Sequence, residues 1–496
     1  MSASRRRKLF AVSGRVASAL LVLAAVLALT WWGTDTPRAT SQNVTATAVP
    51  APTGSLIYAC PAAPANTIGG VDIDEPTTST SITALGPDST LTYGSTELKE
   101  AVTRLTQADG GLLTAQAADV NSSGAIGVVT TLTAGGDLRG LTATPCTPPA
   151  SVAWIVGGSA AIGSSAELRL TNPGVTTVTA TIHLYGSTGE LTLPSSGQVA
   201  VRAGETVTVL LEVAGALDDR LALRVEADGG SLIPVLVTES LDGETPAGVD
   251  VLTAGAAPGT DLTVPGVVLV NAADQGEEVI AGAASSDSPA VRIVNPAEAP
   301  AEVSISLIGA DGEEELPGAT AVTVDAGAVF DVSLAGVAPG AYAVHVVSDA
   351  PVGAAVKLVR SAGEYPERSG ALAHDTTWVQ AAAAAGADTT LALPRLDGLD
   401  TTLVLTNTDR ADTTVTLAAA DGDWTEQVAV PAASTLTPEV PDEVSALVIT
   451  GASGSRISAA AVVTAEVSGD VPGTLISVVP TVPDAATQGS RNLLLH

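Results

Sequence analysis

The amino-acid sequence predicts an all-β protein in which tandem Ig-like antiparallel β-sandwich domains follow a single N-terminal transmembrane helix. Three observations predict this fold class: a strand-and-hairpin layout recurs along the chain, its strands alternate apolar and polar residues, and an uncharged apolar run lies near the N-terminus. Apolar residues make up 46% of the 496-residue chain, whereas aromatic residues supply only 2%. The cores must therefore consist of aliphatic side chains, which suits the pleated surface of strands.

The N-terminus predicts a membrane anchor. Residues 1–15 carry five Lys or Arg and no acid, and residues 16–32 carry no charge. These 17 residues reach roughly 25 Å as a helix, the short end of what spans a hydrocarbon core. Basic residues before the span predict a cytoplasmic N-terminus and an extracytoplasmic bulk, with residues 33–53 as a Thr-, Pro- and Ala-rich tether. A cleaved signal peptide is the alternative, and it also exports the chain.

The region after the tether, residues 54–150, is predicted to be a diverged first β-domain. It ends as the later repeats do, with an apolar strand and a glycine-bounded connector. Gly135 and Gly140 are five positions apart, and Gly243 and Gly248 have the same spacing in the next repeat.

One short helix is predicted within this first domain, over residues 96–107. Leu98, Val102 and Leu105 recur there at helical spacing.

The repeated layout begins with an Asn-Pro turn and continues with an alternating strand, a glycine-bearing hairpin and a second strand. Asn172 and Gly189 are 17 positions apart, as are Asn295 and Gly312. A looser third copy with a shorter hairpin begins at Thr406. The copies recur every 112 to 123 positions, which is the size of one Ig-like sandwich.

Alternation within each copy assigns one buried and one wet face to the strand, as expected for antiparallel sheets. The residues expected to be buried are Val178, Ala180, Ile182, Leu184, Val303, Ile305, Leu307, Val415 and Leu417. In the first copy, the wet face is expected to carry Thr179, Thr181, His183 and Tyr185.

These patterns divide the chain into eight segments. The predicted boundaries are 1–15 for the basic cytoplasmic N-terminus, 16–32 for the anchor, 33–53 for the linker, 54–150 for the first β-domain, 151–248, 249–372 and 373–481 for three β-sandwich repeats, and 482–496 for the tail.

The two cysteines, Cys60 and Cys146, are predicted to form a disulfide. Export places both in an oxidising compartment, and the bond would close a loop of 86 positions. Redox or metal chemistry is disfavoured, because the chain has no CxxC spacing and no histidine near either cysteine in sequence.

The net charge of −32 excludes nucleic acid as a partner, because phosphate backbones would be repelled. Acidity of this kind is typical of a solubilising surface. Weak capture of divalent cations or of basic partners is the alternative interpretation.

No catalytic, cofactor or metal site is predicted. None of the four histidines, His183, His345, His374 and His496, recurs at an equivalent place with a Ser or Cys partner. For the neighbours His374 and Asp375, the expected role is a hydrogen bond between domains. The acidic cluster Asp72, Asp74 and Glu75 lacks the order of an EF-hand loop and is expected to be a solvated turn.

The tryptophans are expected to differ in role. Trp154 and Trp378 begin equivalent segments and are expected to pack in cores or between domains. Trp424 comes directly after a hairpin turn and is the candidate surface contact.

The basic-then-apolar N-terminus, Cys60-Pro61, Pro145-Cys146, the WIVGG run from Trp154 and the LRLTNPG run from Leu168 together resemble a known family. It is an actinobacterial family of membrane-anchored, exported proteins classed as a domain of unknown function. The resemblance implies an envelope location and transfers no activity or catalytic residue.

The predicted function is therefore that of a non-enzymatic, membrane-anchored extracytoplasmic protein that presents or spaces β-sandwich interaction domains at the cell envelope. One alternative is a carbohydrate-binding or wall-polymer-processing ectodomain, and another is an accessory subunit of an envelope enzyme. The membrane is the expected partner of residues 16–32. The other expected partners are envelope proteins or wall glycans.

Overall fold

The structure is a computed structural model. It describes residues 23, 24, 27, 49–50, 55–68, 74–85, 90–106, 110–116, 124–214, 217–270, 288–366, 368–382, 389–420, 422, 424–452, 454–469, 471–483 and 490–491. Residues 23, 24 and 27 are helical, and the rest of the predicted anchor, the tether up to residue 48 and His496 lie outside the described residues. Where the chain is described, no helix has the length and apolarity needed to cross a membrane.

The fold is all-β, with antiparallel sheets stacked in pairs, and Pro50–Arg491 forms one compact unit. We number the strands in chain order and group those that share a pair of sheets into four regions.

The first region covers residues 55–147 and stacks two sheets, ordered β2-β7-β4-β5 and β6-β3-β8-β9. Tyr58, Ile82, Leu113 and Val129 are buried between them. The strands up to this point are β1 (Val49–Pro50), β2 (Ser55–Cys60), β3 (Thr77–Ala84), β4 (Thr90–Tyr93), β5 (Thr96–Leu98), β6 (Val102–Leu105), β7 (Gly111–Gln116), β8 (Ala125–Thr133) and β9 (Gly140–Pro145).

The second region covers residues 152–253, with the sheet β10-β16-β12-β13 and the strands β15-β11-β17-β18, which form one end of a 16-stranded sheet. A fifth strand, β14, pairs with β12 in the first of these sheets. The strands are β10 (Val152–Val156), β11 (Ser164–Thr171), β12 (Val178–Gly186), β13 (Gly189–Leu191), β14 (Gln198–Val201), β15 (Thr206–Leu210), β16 (Ala222–Asp228), β17 (Ile233–Asp242) and β18 (Thr245–Thr253), with 3-10 turns at Pro194–Gly197 and Leu211–Ala214.

The third region covers residues 259–380, and one long strand, β25, belongs to both of its sheets. Residues 340–352 of β25 pair with β19 and β21, and residues 353–364 pair with β20 and β26. The strands are β19 (Gly259–Leu269), β20 (Ala290–Val294), β21 (Ala301–Gly309), β22 (Gly312–Glu315), β23 (Val322–Val324), β24 (Val329–Ser333), β25 (Gly340–Glu364) and β26 (Leu372–Gln380).

The fourth region covers residues 389–483, with the sheet β30-β29-β32-β27-β35 and the strands β31-β28-β33-β34, which form the other end of the 16-stranded sheet. The remaining strands are β27 (Thr389–Ala392), β28 (Leu399–Asn407), β29 (Thr413–Ala419), β30 (Thr425–Val430), β31 (Ser434–Leu436), β32 (Ala446–Gly451), β33 (Ile457–Val467), β34 (Gly473–Pro480), β35 (Val482–Pro483) and β36 (Ser490–Arg491).

The alternation of the repeated strands is confirmed, because all nine side chains expected on the inner face are buried. One residue of the opposite face is buried too. Tyr185 was expected to be wet, but its ring stacks on Trp154 with 5.8 Å between ring centroids, where the second and third regions meet.

The predicted helix over residues 96–107 is wrong, because the described part of this segment is extended. Strand β5 pairs with β4, and β6 pairs with β3. Leu98 and Leu105 both pack against the core between the two sheets, so their helical spacing reflects two separate strands that face one core.

The final long strands of the four regions, β9, β18, β26 and β34, pack against one another. Strands β18 and β26 complete the sheets of the second and third regions and extend past the boundaries predicted at 248/249 and 372/373. We call the meeting point of these four strands the junction.

Candidate functional site

The junction contains buried titratable groups, and Asp375 on β26 lies at its centre with 0% of its surface exposed. Its Oδ2 accepts the N–H of Leu141 at 3.2 Å and that of Ile476 at 2.7 Å. The two donors belong to the first and fourth regions, so one carboxyl joins three regions. Burial raises the pKa of Asp375 to about 8, although the Ile476 N–H and the Arg139 charge oppose the shift.

Asp250 on β18 makes the matching link between the second and third regions. Its Oδ2 accepts the N–H of Trp378 at 2.6 Å, and its Oδ1 accepts that of Val251 at 2.8 Å. Burial raises the pKa of Asp250 to about 7, and these N–H groups limit the shift. Each aspartate therefore accepts at least one main-chain N–H from another region.

Two buried arginines face this pair of acids. Arg139 donates from Nε to the carbonyl of Val471 at 3.3 Å, and no described residue accepts a hydrogen bond from its Nη atoms. Arg360 donates to the carbonyls of Val359 and Val268, both at 3.0 Å. Burial lowers the pKa of both guanidinium groups, that of Arg360 to about 10, while the Asp375 charge opposes the shift.

Glycines at the ends of the predicted connectors let the strands approach one another. A Cβ on Gly140 would lie 2.8 Å from Oδ1 of Asp375. A Cβ on Gly248, whose φ is +113°, would lie 2.9 Å from the N of Thr376. The glycine spacing shared by the first two regions therefore marks the two places where β26 packs closely against them.

The junction leaves little room for a ligand. A cavity of about 20 Å³ lies among the four strands, lined by residues of every region, including Ala143, Asp250, Trp378 and Val478. That volume holds about one water molecule. Ser361 Oγ lies 3.1 Å from His374 Nδ1, but both residues are buried, so a substrate could not reach this pair.

A second polar contact, centred on Arg292 of β20, joins the second and third regions. Its guanidinium pairs in a bidentate manner with Asp331, with both N–O distances at 2.8 Å. It also donates to the carbonyls of Gly158 and Asp219 and lies 4.4 Å from the ring centroid of Trp378. As predicted, Trp154 and Trp378 are packing residues, and they share one apolar cluster here.

The Asn residues of the repeated layout are structural. The Nδ2 of Asn172 donates to the carbonyls of Thr176 and Val201, and its Oδ1 accepts the N–H of Gly174. Asn295 and Asn407 are equally buried and make the same set of bonds to the turn after them and to the returning strand. The returning strand is bound 29 positions later in the first two copies and 23 positions later in the third, as the shorter hairpin requires.

The remaining predicted residues lie elsewhere. The disulfide between Cys60 and Cys146 is present and packs in the core of the first region. Trp424 is half-buried against the core of the fourth region, so its role as a surface contact stays a prediction. His183 pairs with Glu190, and His345 lies between Asp261 and Glu313.

The described residues were also compared with the arrangements that bind metal ions in proteins. Within the described ranges, no three His, Cys, Asp or Glu side chains are arranged to hold a metal ion. Asp74 and Glu75 are exposed, and Asp72 lies outside the described residues.

Sequence reasoning missed Asp250, Arg139 and Arg292. For Asp250 and Arg292, the signal was a charge within a strand that is otherwise apolar, as in VDVL around Asp250 and AVRIV around Arg292. A buried charge in such a place must find partners in a neighbouring region.

These features define an all-β protein of paired antiparallel sheets with a disulfide in its first region, whose buried charges bind main chain across region contacts. The chain belongs to a family of unknown function, DUF5719, which it matches over residues 101–441. The expectation of a family classed as a domain of unknown function is thereby confirmed.

Two further comparisons add little. A comparison with curated proteins gives no match. Among solved structures, the chain is similar to the crystal structure of Streptomyces avermitilis alpha-L-rhamnosidase complexed with L-rhamnose, with 12% identity and a TM-score of 0.12. The similarity covers 86% of this chain and 55% of the rhamnosidase, so the chain spans about half that protein's length. A TM-score this low carries no argument about fold or activity.

Proposed function

We propose that the protein is a non-enzymatic, membrane-anchored protein of the cell envelope. Residues 16–32 would be the anchor, with the N-terminus in the cytoplasm. Beyond the tether, the four regions would form one rigid block that presents interaction surfaces outside the membrane. The observation that carries this proposal is that the buried side chains of Asp375, Asp250 and Arg292 form hydrogen bonds with the main chain of neighbouring regions.

An enzyme must bring such groups to a substrate. Asp375 and Asp250 instead accept N–H groups from three other segments, and the cavity between the regions holds about one water molecule. Arg292 fixes the second and third regions in the same manner. Contacts of this kind hold surfaces at constant distances and angles, which is what a presenting scaffold requires.

We further propose that the regions are copies of one Ig-like unit. Asn172, Asn295 and Asn407 make equivalent hydrogen bonds, and each lies at the C-terminal end of the second strand of its region. The first region lacks this Asn but ends with the same glycine-bounded connector.

The extracytoplasmic location is supported by two independent features. The disulfide between Cys60 and Cys146 is of a kind that persists in oxidising compartments. The basic residues before residues 16–32 favour export of the chain on the C-terminal side of that span.

Protease treatment of intact spheroplasts tests the topology. In a full-length chain with an N-terminal and a C-terminal tag, the C-terminal tag should be digested and the N-terminal tag protected. Protection of both tags before the membrane is permeabilised would overturn the proposed location.

Retention on purified envelope glycans tests the absence of a carbohydrate function. The proposal predicts no saturable retention. Saturable binding that is lost in Trp424→Ala and kept in Phe330→Ala, a matched change at another partly exposed aromatic residue, would replace it with a glycan-binding ectodomain. Crosslinking in intact cells would then identify the neighbour of the block.

A further inference from the structure

The contact between the first and second regions contains two carboxylates held by consecutive residues. Asn66 donates from Nδ2 to Oδ2 of Asp137 at 2.9 Å. Thr67 donates from its N–H and from its hydroxyl to Oε2 of Glu239, both at 2.8 Å. The loop after β2, the loop before β9 and strand β17 thus bring an amide and two carboxylates together.

Glu239 is unusual because its charge is buried and unbalanced. It is 3% exposed, and within the described ranges no donor reaches its Oε1. The donors to Glu239 at Thr67 are neutral, and the charge that acts on it from Asp137 has the same sign as its own. A buried carboxylate beside a like charge is unfavourable unless a cation or a proton neutralises it.

The neighbouring side-chain amide of Asn66 also has a buried oxygen without a donor among the described residues. Oδ1 of Asn66 is buried and, in the described part of the chain, has no hydrogen-bond donor. The two atoms without a donor from the described residues, Oε1 of Glu239 and Oδ1 of Asn66, are therefore both oxygen acceptors. Their residues are linked because Glu239 accepts hydrogen bonds from Thr67, the residue next to Asn66. Carboxylate and amide oxygens are the ligands that calcium takes in proteins.

We propose that Asn66, Asp137 and Glu239 bind a calcium ion at the contact between the first and second regions. Hard oxygen ligands favour Ca²⁺ or Mg²⁺ over Zn²⁺, and ligands from three separate segments suit the flexible coordination of Ca²⁺ better than the strict octahedron of Mg²⁺. The set has two carboxylates and one amide, which is consistent with the lack of a three-membered His, Cys, Asp or Glu cluster among the described residues. So few charges predict a dissociation constant of about 10⁻⁴ to 10⁻³ M, the range of extracellular calcium modules.

Calorimetric titration of Ca²⁺ into the full-length protein, freed of metal with EDTA and dialysed, tests the proposal. One equivalent should bind, and Glu239→Gln and Asp137→Asn should each weaken binding at least about tenfold. Both variants keep an oxygen acceptor for the donor that each carboxylate now satisfies, so the fold should persist, as circular dichroism would verify.

Glu212→Gln is the matched control. Glu212 also accepts a main-chain N–H, from Ala166 at 2.6 Å, and its other oxygen is also buried without a donor from the described residues. Its variant should bind Ca²⁺ as the wild type does.

Three results would overturn the proposal: no saturable binding at about 10⁻² M Ca²⁺, unchanged binding in Glu239→Gln, or equal loss in Glu212→Gln, which would indicate general attraction to an acidic surface. A wild-type protein whose stability does not respond to Ca²⁺ and falls as pH rises, with this pH dependence absent from Glu239→Gln, would identify a proton on Glu239 as the neutralising group instead.

Discussion

Replacing Asp375 by asparagine should remove part of the pH dependence of folding stability. In the folded protein, burial raises the pKa of Asp375 to about 8, against an ordinary value of 3.8. Between these two values the folded state holds a proton that the unfolded state has lost. The contribution of Asp375 is therefore complete below pH 3.8 and is lost as pH rises toward 8, so the free energy of unfolding falls with pH across this window.

The magnitude is set by one proton, which corresponds to about 1.4 kcal/mol per pH unit. From pH 5 to pH 7, Asp375 should lower the free energy of unfolding by at most about 3 kcal/mol. The value is an upper bound because it takes Asp375 as fully protonated in the folded state and fully ionised in the unfolded state throughout this pH range. Asp250 acts with the same sign, so Asp375→Asn should remove about half of the slope that the junction contributes.

Urea unfolding at pH 5, 6 and 7, monitored by tryptophan fluorescence, measures this slope. Asparagine keeps an oxygen that can accept both main-chain N–H groups, so the variant should fold. Glu97→Gln, at an exposed carboxylate, is the control and should leave the slope unchanged. A constant difference between wild type and Asp375→Asn from pH 5 to pH 7 would refute the assignment of a buried proton to this carboxyl.

Three further predictions concern stability. Asn172→Ala leaves two carbonyls and one N–H without their partner and should cost about 2 to 4 kcal/mol in chemical denaturation; a loss below about 0.5 kcal/mol would contradict the structural role of this Asn. Arg292→Lys cannot keep the bidentate pair and the carbonyl bonds together and should cost about 3 kcal/mol, measured in the same way, whereas a neutral effect would argue against this contact between regions. Replacing Cys60 and Cys146 together by serine should cost about 2 to 5 kcal/mol because the disulfide closes a loop of 86 positions; an unchanged urea midpoint would refute this.

Local patterns predicted the parts of the fold that depend on neighbours in sequence. Alternation identified the buried faces of β12, β21 and β29, because side chains in a strand alternate between its two faces. The fixed Asn spacing identified the copies, since each Asn binds its own turn and returning strand. Export and the cysteine count together predicted the disulfide.

The features that local patterns missed depend on packing between distant segments. Leu98, Val102 and Leu105 fit a helix, but the chain turns between the first and second of these residues, and no local signal marks that turn. Tyr185 lies at a correct alternate position, yet another region covers the face that it occupies. A hydrogen bond between domains was expected at His374 and Asp375, and Asp375 does make such bonds. Its donors, Leu141 and Ile476, could not be predicted because they lie 234 and 101 positions away.

These separations affect how the chain reaches its final state. Leu141 meets its acceptor only after 234 more residues have been made, which takes the ribosome on the order of 10 to 50 seconds. Until then the first region has no third region to pack against, and Asp375 itself needs Ile476, which follows 101 positions later. The fourth region therefore completes the junction, and a chain that stops short of residue 476 should leave the preceding regions loosely associated and open to proteases.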